Sequence, residues 1–500
     1  MSDSIIVFDE PELEFRYGQR VKDPHDGLAL FGPYDADAAS RPRLSYVLLG
    51  TESGIAQFKA WSKAMLLPAI EAPKANFRLW SPYPGFEAAF GTEWSSEPIW
   101  VYTIDQEKLL EASRTRDKYE RTFRVVNYYL EGLAIAGKLD ERIGVAVCIV
   151  PDELWQNCRP ESHIANPVGK SVSPKTIKSR RMGQLELLNS FEPEQYELSP
   201  DFRRQLKARS MQYDIPLQIV RESTLRLSDQ NVRGQRTLTP LSDRMWNLSN
   251  ALYYKCGGKP WRLVTARDGV CYIGIAFRRT DTSEQGKTAC CAAQMFLNTG
   301  DGIVFMLDEY GPWFSPTTRQ FHLSKDAARK LLQGVLQTYR NLGGKELTEI
   351  FIHSRSTIYD DEFAGYREAC PPGVKLIGVR VRIDKLGLRF FRPGKMSMIR
   401  GAFWRLNDRA GFLWGSGFKP RLGTYDGWET PAPLRIDIQH GDAPIERVGQ
   451  DIFGLTKLNY NACRLGESDP VTVGYSDAVG EILVSNPTVA KRKPNFKFYI

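Results

Sequence analysis

Short apolar runs alternate with longer amphipathic segments along most of the chain, an arrangement that is typical of α/β proteins. The strand-like runs are residues 45–50, 143–150, 217–221, 272–277, 289–297, 303–307, 349–353 and 375–382. We find no internal repeat and no low-complexity tract. The sequence therefore predicts an α/β fold in which helices connect the strands of one or more sheets.

One amphipathic helix is predicted in the second half of the chain. Ser324 is a suitable N-cap, and an apolar stripe at helical spacing runs from there to a Gly343-Gly344 pair that would end the helix. The stripe consists of Leu331, Leu332, Val335, Leu336 and Tyr339. We expect this helix to pack on a sheet.

Length and composition are compatible with several classes of protein. A chain of 500 residues has room for two or three domains with substantial cores. Its 67 Lys and Arg against 59 Asp and Glu permit a polyanionic partner without requiring one. Eight cysteines without a CxxC pair and five scattered histidines indicate a reducing compartment and argue against a zinc module. The acidic N-terminus and the lack of about 20 consecutive apolar residues predict a cytoplasmic protein without a signal peptide or membrane span.

Several groups that can bind phosphate follow one another in the middle of the chain. Arg203 and Lys207 are four residues apart in DFRRQLKARS and would share one face of a helix. Gln218 follows on the strand PLQIV, and Lys255 precedes the glycine turn CGGKPW. Each of these side chains can donate a hydrogen bond to a charged terminal phosphate. The alternative is a solvated helix face among neighbouring arginines.

Three segments carry a resemblance to a known family. KARSMQYDIPLQIV, YYKCGGKPWRL and CYIGIAF are similar, in this order, to the MID and PIWI halves of Argonaute proteins, and of short prokaryotic Argonautes in particular. DPHDGL and FGPY, within residues 23–34, look like the start of that subfamily. The resemblance implies a Rossmann-like MID domain with an N-terminal extension in residues 1–240 and an RNase H-like PIWI domain in residues 241–500. Separate N-terminal and PAZ domains would not fit into about 500 residues.

The resemblance also implies a pocket that holds the 5′-phosphate of a guide strand. Its four positions fall on Arg203, Lys207, Gln218 and Lys255. Arg203 replaces an aromatic residue or histidine of the family, and its guanidinium can stack or bind phosphate in a bidentate manner. Lys259 and Arg262 are further candidates for neighbouring phosphates. The carboxylate of Ile500 would help to hold Mg²⁺ beside the guide phosphate, whereas a buried apolar end without a metal is the alternative.

The PIWI half of the family contains the catalytic centre. Cutting Argonautes hold two divalent cations with converging carboxylates, which activate water and stabilise the leaving oxygen. Ala276 stands where the first acid ends the YIGID-like strand, and Arg355 stands where another acid is usual. Asp477 matches the fourth position and could still act as an acid. One carboxylate cannot hold two metals, so we expect no catalytic metal and no cleavage.

Other charged segments leave alternatives open. The acidic run of residues 360–362 could supply displaced metal ligands, although acids at a helix N-terminus also suit the helix dipole. A basic segment could line a groove for a guide–target duplex through backbone contacts, or it could be solvated surface. Its residues are Arg380, Arg382, Lys385, Arg389, Phe390, Phe391, Arg392 and Lys395. A second basic patch occupies residues 170–181.

Three functions remain open. The resemblance implies a catalytically inactive sensor of a prokaryotic antiviral or plasmid defence system, in which a small RNA guide with a 5′-phosphate recognises complementary single-stranded DNA. A separate protein with an Argonaute-associated domain would form a heterodimer with it and act as a TIR, sirtuin-like or nuclease effector, which depletes NAD or degrades nucleic acid. An active guided endonuclease with displaced acids is the second function. A guide-independent nucleic-acid-binding scaffold is the third.

Overall fold

The computed structural model describes most of the chain. The described residues are 5–35, 44–70, 77–162, 164, 179, 195–196, 198–230, 237–279, 289–296, 302–307, 313–315, 317–341, 345–384, 387–394, 396–425, 427, 429–483, 485, 493 and 495–500. Within helices and strands, the side chains of 77, 278–279, 289–296, 302–303, 305–307, 313–314, 476–477 and 483 lie outside the description. Lys385, Lys395, the glycine pair 343–344, the Asp477 side chain and the basic patch except residue 179 therefore fall outside the described part.

The chain begins with three short strands and a helix. They are β1 (Ile5–Val7), β2 (Leu13–Glu14), β3 (Arg20–Val21) and α1 (Pro24–Phe31). Asp23 begins α1 because its carboxylate accepts a hydrogen bond from the backbone N–H of His25 (3.0 Å). Strands β2 and β3 pair with each other, whereas β1 pairs with a strand of the second half of the chain.

Within the described residues, four parallel strands form the first sheet. These strands are β4 (Tyr46–Gly50), β5 (Trp100–Thr103), β6 (Val145–Val150) and β7 (Leu217–Arg221), in the spatial order β5-β4-β6-β7. The helices of this region are α2 (Glu52–Ala64), α3 (Phe86–Phe90), α4 (Gln106–Ser113), α5 (Lys118–Ala136), α6 (Asp152–Asn157), α7 (Phe202–Ser210) and α8 (Leu241–Lys255). Every residue of β4 and β6 is buried, as expected for parallel strands with both faces covered.

The second sheet contains nine of the described strands. The strands that follow β7 are β8 (Arg262–Leu263), β9 (Val270–Arg279), β10 (Ala289–Phe296), β11 (Gly302–Leu307), β12 (Trp313–Ser315), β13 (Gln320–His322), β14 (Glu349–Ser354), β15 (Lys375–Ile383), β16 (Phe391–Arg392), β17 (Met396–Ser397), β18 (Ala402–Asn407), β19 (Ala410–Leu413) and β20 (Leu434–His440). The spatial order is β1-β18-β19-β20-β15-β14-β9-β10-β11. Strand β14 is parallel to both β9 and β15, and β10 is antiparallel to β9. The remaining pairs are β2 with β8, β12 with β13, and β16 with β17.

Four further helices accompany this sheet. They are α9 (Lys325–Asn341), α10 (Asp360–Ala369), α11 (Ile445–Leu455) and α12 (Val471–Leu483). Helix α9 confirms the predicted amphipathic helix, because the hydroxyl of Ser324 accepts a hydrogen bond from the backbone N–H of Ala327 (3.2 Å). Its apolar stripe is buried in one cluster with Ile273 of β9 and Ile352 of β14.

Helix α12 lies close against strand β9 and contacts the neighbouring strand β14 as well. A Cβ atom at Gly274 would stand 1.8 Å from the carbonyl oxygen of Thr472, so only glycine allows this approach. The hydroxyl of Thr472 also forms a hydrogen bond of 2.9 Å with Nδ1 of His353 on β14. Farther along α12, Glu481 forms an ion pair of 3.0 Å with Arg204 of α7, which joins the two halves.

The two sheets confirm the predicted α/β fold with a Rossmann-like and an RNase H-like part. The boundary near residue 240 stays a prediction. Strand β1, although it lies at the start of the chain, pairs with β18 of the second sheet. No helix in the described part of the chain is long and apolar enough to cross a membrane.

Candidate functional site

Helix α7 carries two of the predicted cations on one face. Its N-cap Asp201 accepts a hydrogen bond from a backbone N–H of the first turn (3.0 Å), which fixes where the helix begins. Phe202 and Leu206 are buried against the first sheet. Arg203 and Lys207 therefore lie one turn apart beside that buried face.

Lys255, the last residue of α8, contacts the first sheet. Its Nζ donates hydrogen bonds to Oε1 of Gln218 on β7 (2.6 Å) and to Oδ1 of Asn461 (3.4 Å). The predicted glycine turn follows at once, and Gly257 has a φ of 104°, which favours glycine. The turn ends α8 where the lysine meets β7.

The end of the sequence lies at the same place. Nζ of Lys207 donates a hydrogen bond to the backbone oxygen of Ile500, and Nη2 of Arg203 donates to the carbonyl oxygen of Tyr499 (3.5 Å). Tyr499 and Ile500 are buried. The structure thus brings all four predicted residues together. We call them the cationic cluster: Arg203, Lys207, Gln218 and Lys255.

Burial gives the cationic cluster its electrostatic character. Lys207 and Lys255 are only 2% and 1% exposed, so the alternative of a solvated helix face does not describe this place. Burial, together with repulsion from Arg203, lowers the pKa of Lys255 to about 7. Burial and the positive charges of Lys255 and Arg203 lower the pKa of Lys207 well below its ordinary value. Burial also lowers the pKa of Arg203.

These pKa shifts indicate what the cationic cluster can bind. Three cations that repel one another in a buried place are stabilised by a multivalent anion, because each then gains an opposite charge at short range. A terminal phosphate has three oxygens that can accept hydrogen bonds from several donors at once. A hydrogen bond to a charged group contributes about 1.5–3 kcal/mol. The arrangement of the cationic cluster is therefore chemically suited to a multivalent anion such as phosphate.

The Mg²⁺ ion predicted beside Ile500 would find few free protein ligands there. Mg²⁺ takes oxygen ligands in near-octahedral geometry. The oxygen of Ile500 already accepts a hydrogen bond from Lys207, and the amide oxygens of Gln218 and Asn461 accept from Lys255. Among the described side chains, no group of three His, Cys, Asp or Glu residues could hold a metal ion. The described protein groups alone therefore do not complete a magnesium shell, and the Mg²⁺ ion beside Ile500 stays a prediction.

The positions expected to carry catalytic acids meet at one edge of the second sheet. Ser354, the last residue of β14, pairs with Ile275 of β9, so Arg355 lies beside Ala276. Nη2 of Arg355 lies 3.4 Å from Oδ2 of Asp469, which precedes α12. Asp477 belongs to α12, but its side chain lies outside the described part. This edge of the sheet therefore carries the methyl group of Ala276 beside the ion pair of Arg355 and Asp469.

The three acids at the start of α10 do not form a group that could hold a metal ion among the described side chains, since Asp360 and Asp361 are exposed and the third acid is buried. Glu362 is buried, and one of its oxygens accepts a hydrogen bond from the hydroxyl of Tyr366 (3.0 Å). Burial raises the pKa of Glu362 to about 7, so near neutral pH the carboxyl group is partly protonated. A protonated carboxyl group is a poor ligand for a divalent cation.

The residues predicted for a nucleic-acid groove have different environments. Arg380 and Arg382 are two positions apart on β15, so their side chains leave the same face of the sheet. Nε of Arg392 donates to the carbonyl oxygen of Ser397 (2.8 Å), and Nη1 of Arg389 donates to the carbonyl oxygen of Leu388 (2.9 Å). Both therefore bind the backbone of their own segment.

The two candidates after the glycine turn lie near the beginning of the chain. Arg262 forms an ion pair of 2.7 Å with Glu14, so its charge is already matched. The backbone N–H of Lys259 donates to Asp35 (2.8 Å). Their assignment to phosphate contacts stays a prediction.

Two residues of the site were missed by sequence reasoning. Asn461 contacts Lys255 although the two are 206 positions apart, and Asp469 contacts Arg355 across 114 positions. Asn461 lies in a segment without a recognisable motif, and Asp469 lies two residues before α12 at a position to which the resemblance assigns no role. Only the folded chain brings them to their partners.

Two α/β sheets that share a buried cationic cluster where they meet define a protein with the fold of the Argonaute and Piwi proteins. The likeness extends to the sequence. This chain is 22% identical to the protein argonaute of Aquifex aeolicus (strain VF5) over 258 residues, which are 51% of this chain and 33% of the relative. No model of a protein family matches the sequence.

Solved structures show the same fold over nearly the whole chain. Clostridium butyricum Argonaute bound to a guide DNA (5′ deoxycytidine) and a 19-mer target DNA matches 99% of the chain with a TM-score of 0.60 and 16% identity. Drosophila Piwi matches 99% of the chain with a TM-score of 0.60 and 11% identity. Aa-Ago with externally bound siRNA matches 98% of the chain with a TM-score of 0.59 and 16% identity. The chain spans about half the length of these structures, 55%, 56% and 55% respectively. The predicted resemblance is thus confirmed for the fold.

Proposed function

We propose that this chain is the guide-binding subunit of a prokaryotic defence system. It binds a small RNA guide by its 5′-phosphate, recognises a complementary single-stranded DNA and activates an associated effector protein, which is an NAD hydrolase or a nuclease. The cationic cluster is the observation that carries the proposal. The likeness to an Argonaute solved with guide and target DNA supports the same class of ligand.

The 5′-phosphate suits the cationic cluster because only a strand end presents a phosphate with three oxygens free to accept hydrogen bonds. A backbone phosphodiester has one negative charge and two such oxygens. The dianionic end therefore matches the two buried lysines and the half-buried Arg203 better than any internal linkage does. Lys207 exchanges its contact with Ile500 for the phosphate, and Lys255 contributes its charge from the side of Gln218. A Mg²⁺ ion at this place would take guide phosphate oxygens and water as its remaining ligands.

We propose further that the chain does not cut its target. The sheet edge carries Ala276 and Arg355 at the two positions where the resemblance implies acids, and Arg355 would repel a divalent cation. Without chemistry of its own, a sensor needs a partner whose active and inactive states are biased by target binding. The effector subunit and the defence role rest on the resemblance to short prokaryotic Argonautes, and the cytoplasmic location rests on the cysteine usage.

Nucleic acid that purifies with the protein tests this function. The chain is expressed in bacteria together with its genomic neighbour, and the bound nucleic acid is sequenced and its 5′ ends are labelled with and without prior phosphatase treatment. We expect short RNA that can be labelled only after phosphatase, as a 5′-phosphate requires. Nucleic acid of mixed length with 5′-hydroxyl ends would instead favour the guide-independent scaffold.

A further inference from the structure

The sheet edge beside Ala276 is rich in arginine. Strands β9, β14 and β15 run in parallel, so their carboxyl ends meet at this edge. Ser354 pairs with Ile275 on one side and with Arg380 on the other, so Arg355 emerges between Ala276 and β15. Nε of Arg380 donates to the carbonyl oxygen of Arg355 (3.3 Å), which holds the two arginines together.

The positive charge continues across the neighbouring strands. Arg382 follows Arg380 on the same face of β15, and Arg435 of β20 stands directly opposite Arg382. Asp437 stands opposite Arg380 and accepts a hydrogen bond from Nε of Arg435 (2.9 Å). On the other face of these strands, the apolar side chains form the buried core. On the same face as the arginines, Ile352 and Leu376 belong to a second core cluster nearer the start of these strands, so the arginines lie beyond that core, towards the carboxyl ends.

The ion pair between Arg355 and Asp469 is partly exposed to solvent. Its side chain is 34% exposed, that of Asp469 is 21% exposed, and their atoms are 3.4 Å apart. Partly exposed ion pairs of this kind contribute little to stability, because water already solvates both charges. A phosphate can therefore share or replace the aspartate at small cost, and the guanidinium fork offers it two parallel hydrogen bonds.

We propose that Arg355 and Arg380 bind one internal backbone phosphate of the guide–target duplex. The inference rests on the proposed function, since it needs a duplex anchored at the cationic cluster. Helix α12 sets the distance: Asp469 precedes its first residue, and Glu481 near its end contacts Arg204 of α7. At 1.5 Å per residue, this separation is about 18 Å. With about 3.4 Å per base pair, the bound phosphate lies about five or more pairs from the guide's 5′ end.

A double-mutant cycle between protein and nucleic acid tests the assignment. Single methylphosphonate linkages, which are neutral, are placed at each position of the guide and of the target in turn, and target binding is measured for the wild type and for Arg355→Ala. We expect one internal linkage whose neutralisation weakens wild-type binding about tenfold, the lower end for a charged hydrogen bond. The same linkage should have no effect in Arg355→Ala, because the charge that it contacts is gone.

Matched variants separate this contact from general charge and from folding. Arg405→Ala removes an arginine that is 49% exposed and paired with Glu446 (3.0 Å), and it should keep the full methylphosphonate effect. Asp469→Asn removes the competing carboxylate without changing its shape, and it should tighten target binding and enlarge the effect of the same linkage.

Each result bears on one of the two claims. The first case is a wild type that binds target in a guide-dependent way. If neutralising the sensitive linkage then weakens binding equally in Arg355→Ala, or if no linkage has an effect, the Arg355 assignment is overturned. The arginine–aspartate pair is then structural only. If the wild type shows no guide-dependent target binding, the proposed function fails instead.

Discussion

Lys255 titrates near neutral pH. Its pKa is about 7 in the folded protein, against an ordinary value of 10.5. Between these values the unfolded chain binds more protons than the folded chain, so stability rises as the pH rises. The contribution of this single group is at most about 1.4 kcal/mol per pH unit. The guide-free protein is thus strained by its own cations around neutral pH.

Replacement of Lys255 should remove that part of the pH dependence. We expect Lys255→Met to unfold at a higher urea concentration than the wild type at pH 7, and to gain less stability between pH 7 and pH 9.5. The exposed Lys375, which is 72% exposed, provides the control in Lys375→Met. Parallel stability curves for Lys255→Met and the wild type would show that the lysine is not a strained buried cation.

The sequence could predict the four side chains of the cationic cluster for a physical reason. Arg203 and Lys207 are one helical turn apart, and a glycine turn fixes the end of the helix that carries Lys255, so local spacing determines most of the geometry. The pairing of Arg262 with Glu14 could not be predicted, because 248 residues separate them. Contacts of this kind depend on how the chain folds as a whole.

Among the elements, α12 connects the two places that the function requires. Thr472 near its start lies on Gly274 of β9, and Glu481 near its end pairs with Arg204 beside the cationic cluster. Asp469, immediately before the helix, contacts Arg355. A displacement of α12 would therefore reach both the anion site and the sheet edge.

Gly274→Ala tests this close contact. The added methyl group would stand 1.8 Å from the carbonyl oxygen of Thr472, and backbone on both sides prevents easy relief. We expect a loss of about 1–3 kcal/mol or more in the free energy of unfolding, as for other overpacked sites. The measurement is urea unfolding followed by circular dichroism.

Gly474→Ala is the matched control on α12 itself. Its methyl group would meet only Cβ of Asp469 at 3.4 Å, an ordinary contact, so the higher helix propensity of alanine should leave the protein equally or more stable. Equal stability of both variants would mean that α12 does not lie against β9 as described.

Element prediction succeeded for most of the longer strands and missed several others. The runs 45–50, 143–150 and 217–221 correspond to β4, β6 and β7. Strand β20 was not predicted, although its sequence LRIDIQH places buried residues at every second position, the pattern of a half-buried strand. Strand β1 consists of three exposed apolar residues. Its position in the second sheet follows from its pairing with β18, which the sequence does not indicate.

At the scale of the whole molecule, ion pairs and hydrogen bonds join the two sheets around the cationic cluster. Lys255, at the end of α8, donates to Gln218 of the first sheet, and Glu481 of α12 pairs with Arg204 of α7. A ligand at this junction contacts both halves at once. Guide binding should therefore stabilise the whole chain by mass action.

The assembled protein is expected to bind a target without cutting it. When the chain is loaded with a guide and given a complementary labelled strand with Mg²⁺ or Mn²⁺, we expect the strand to remain intact on a denaturing gel. Ala276 and Arg355 remove the acids that a two-metal site requires. A product cut at one fixed distance from the guide's 5′ end would revive the endonuclease with displaced acids.

The central claim is that the cationic cluster binds a 5′-phosphate, and guide affinity tests it directly. Dissociation constants are measured for one guide sequence with a 5′-phosphate or a 5′-hydroxyl end, on the wild type and on the variant Lys207→Ala/Lys255→Ala. Each charged hydrogen bond contributes about 1.5–3 kcal/mol, so the wild type should prefer the phosphorylated guide by about tenfold or more, and the double variant should lose this preference. Equal weakening of both guides would contradict the account and would assign the two lysines to general charge.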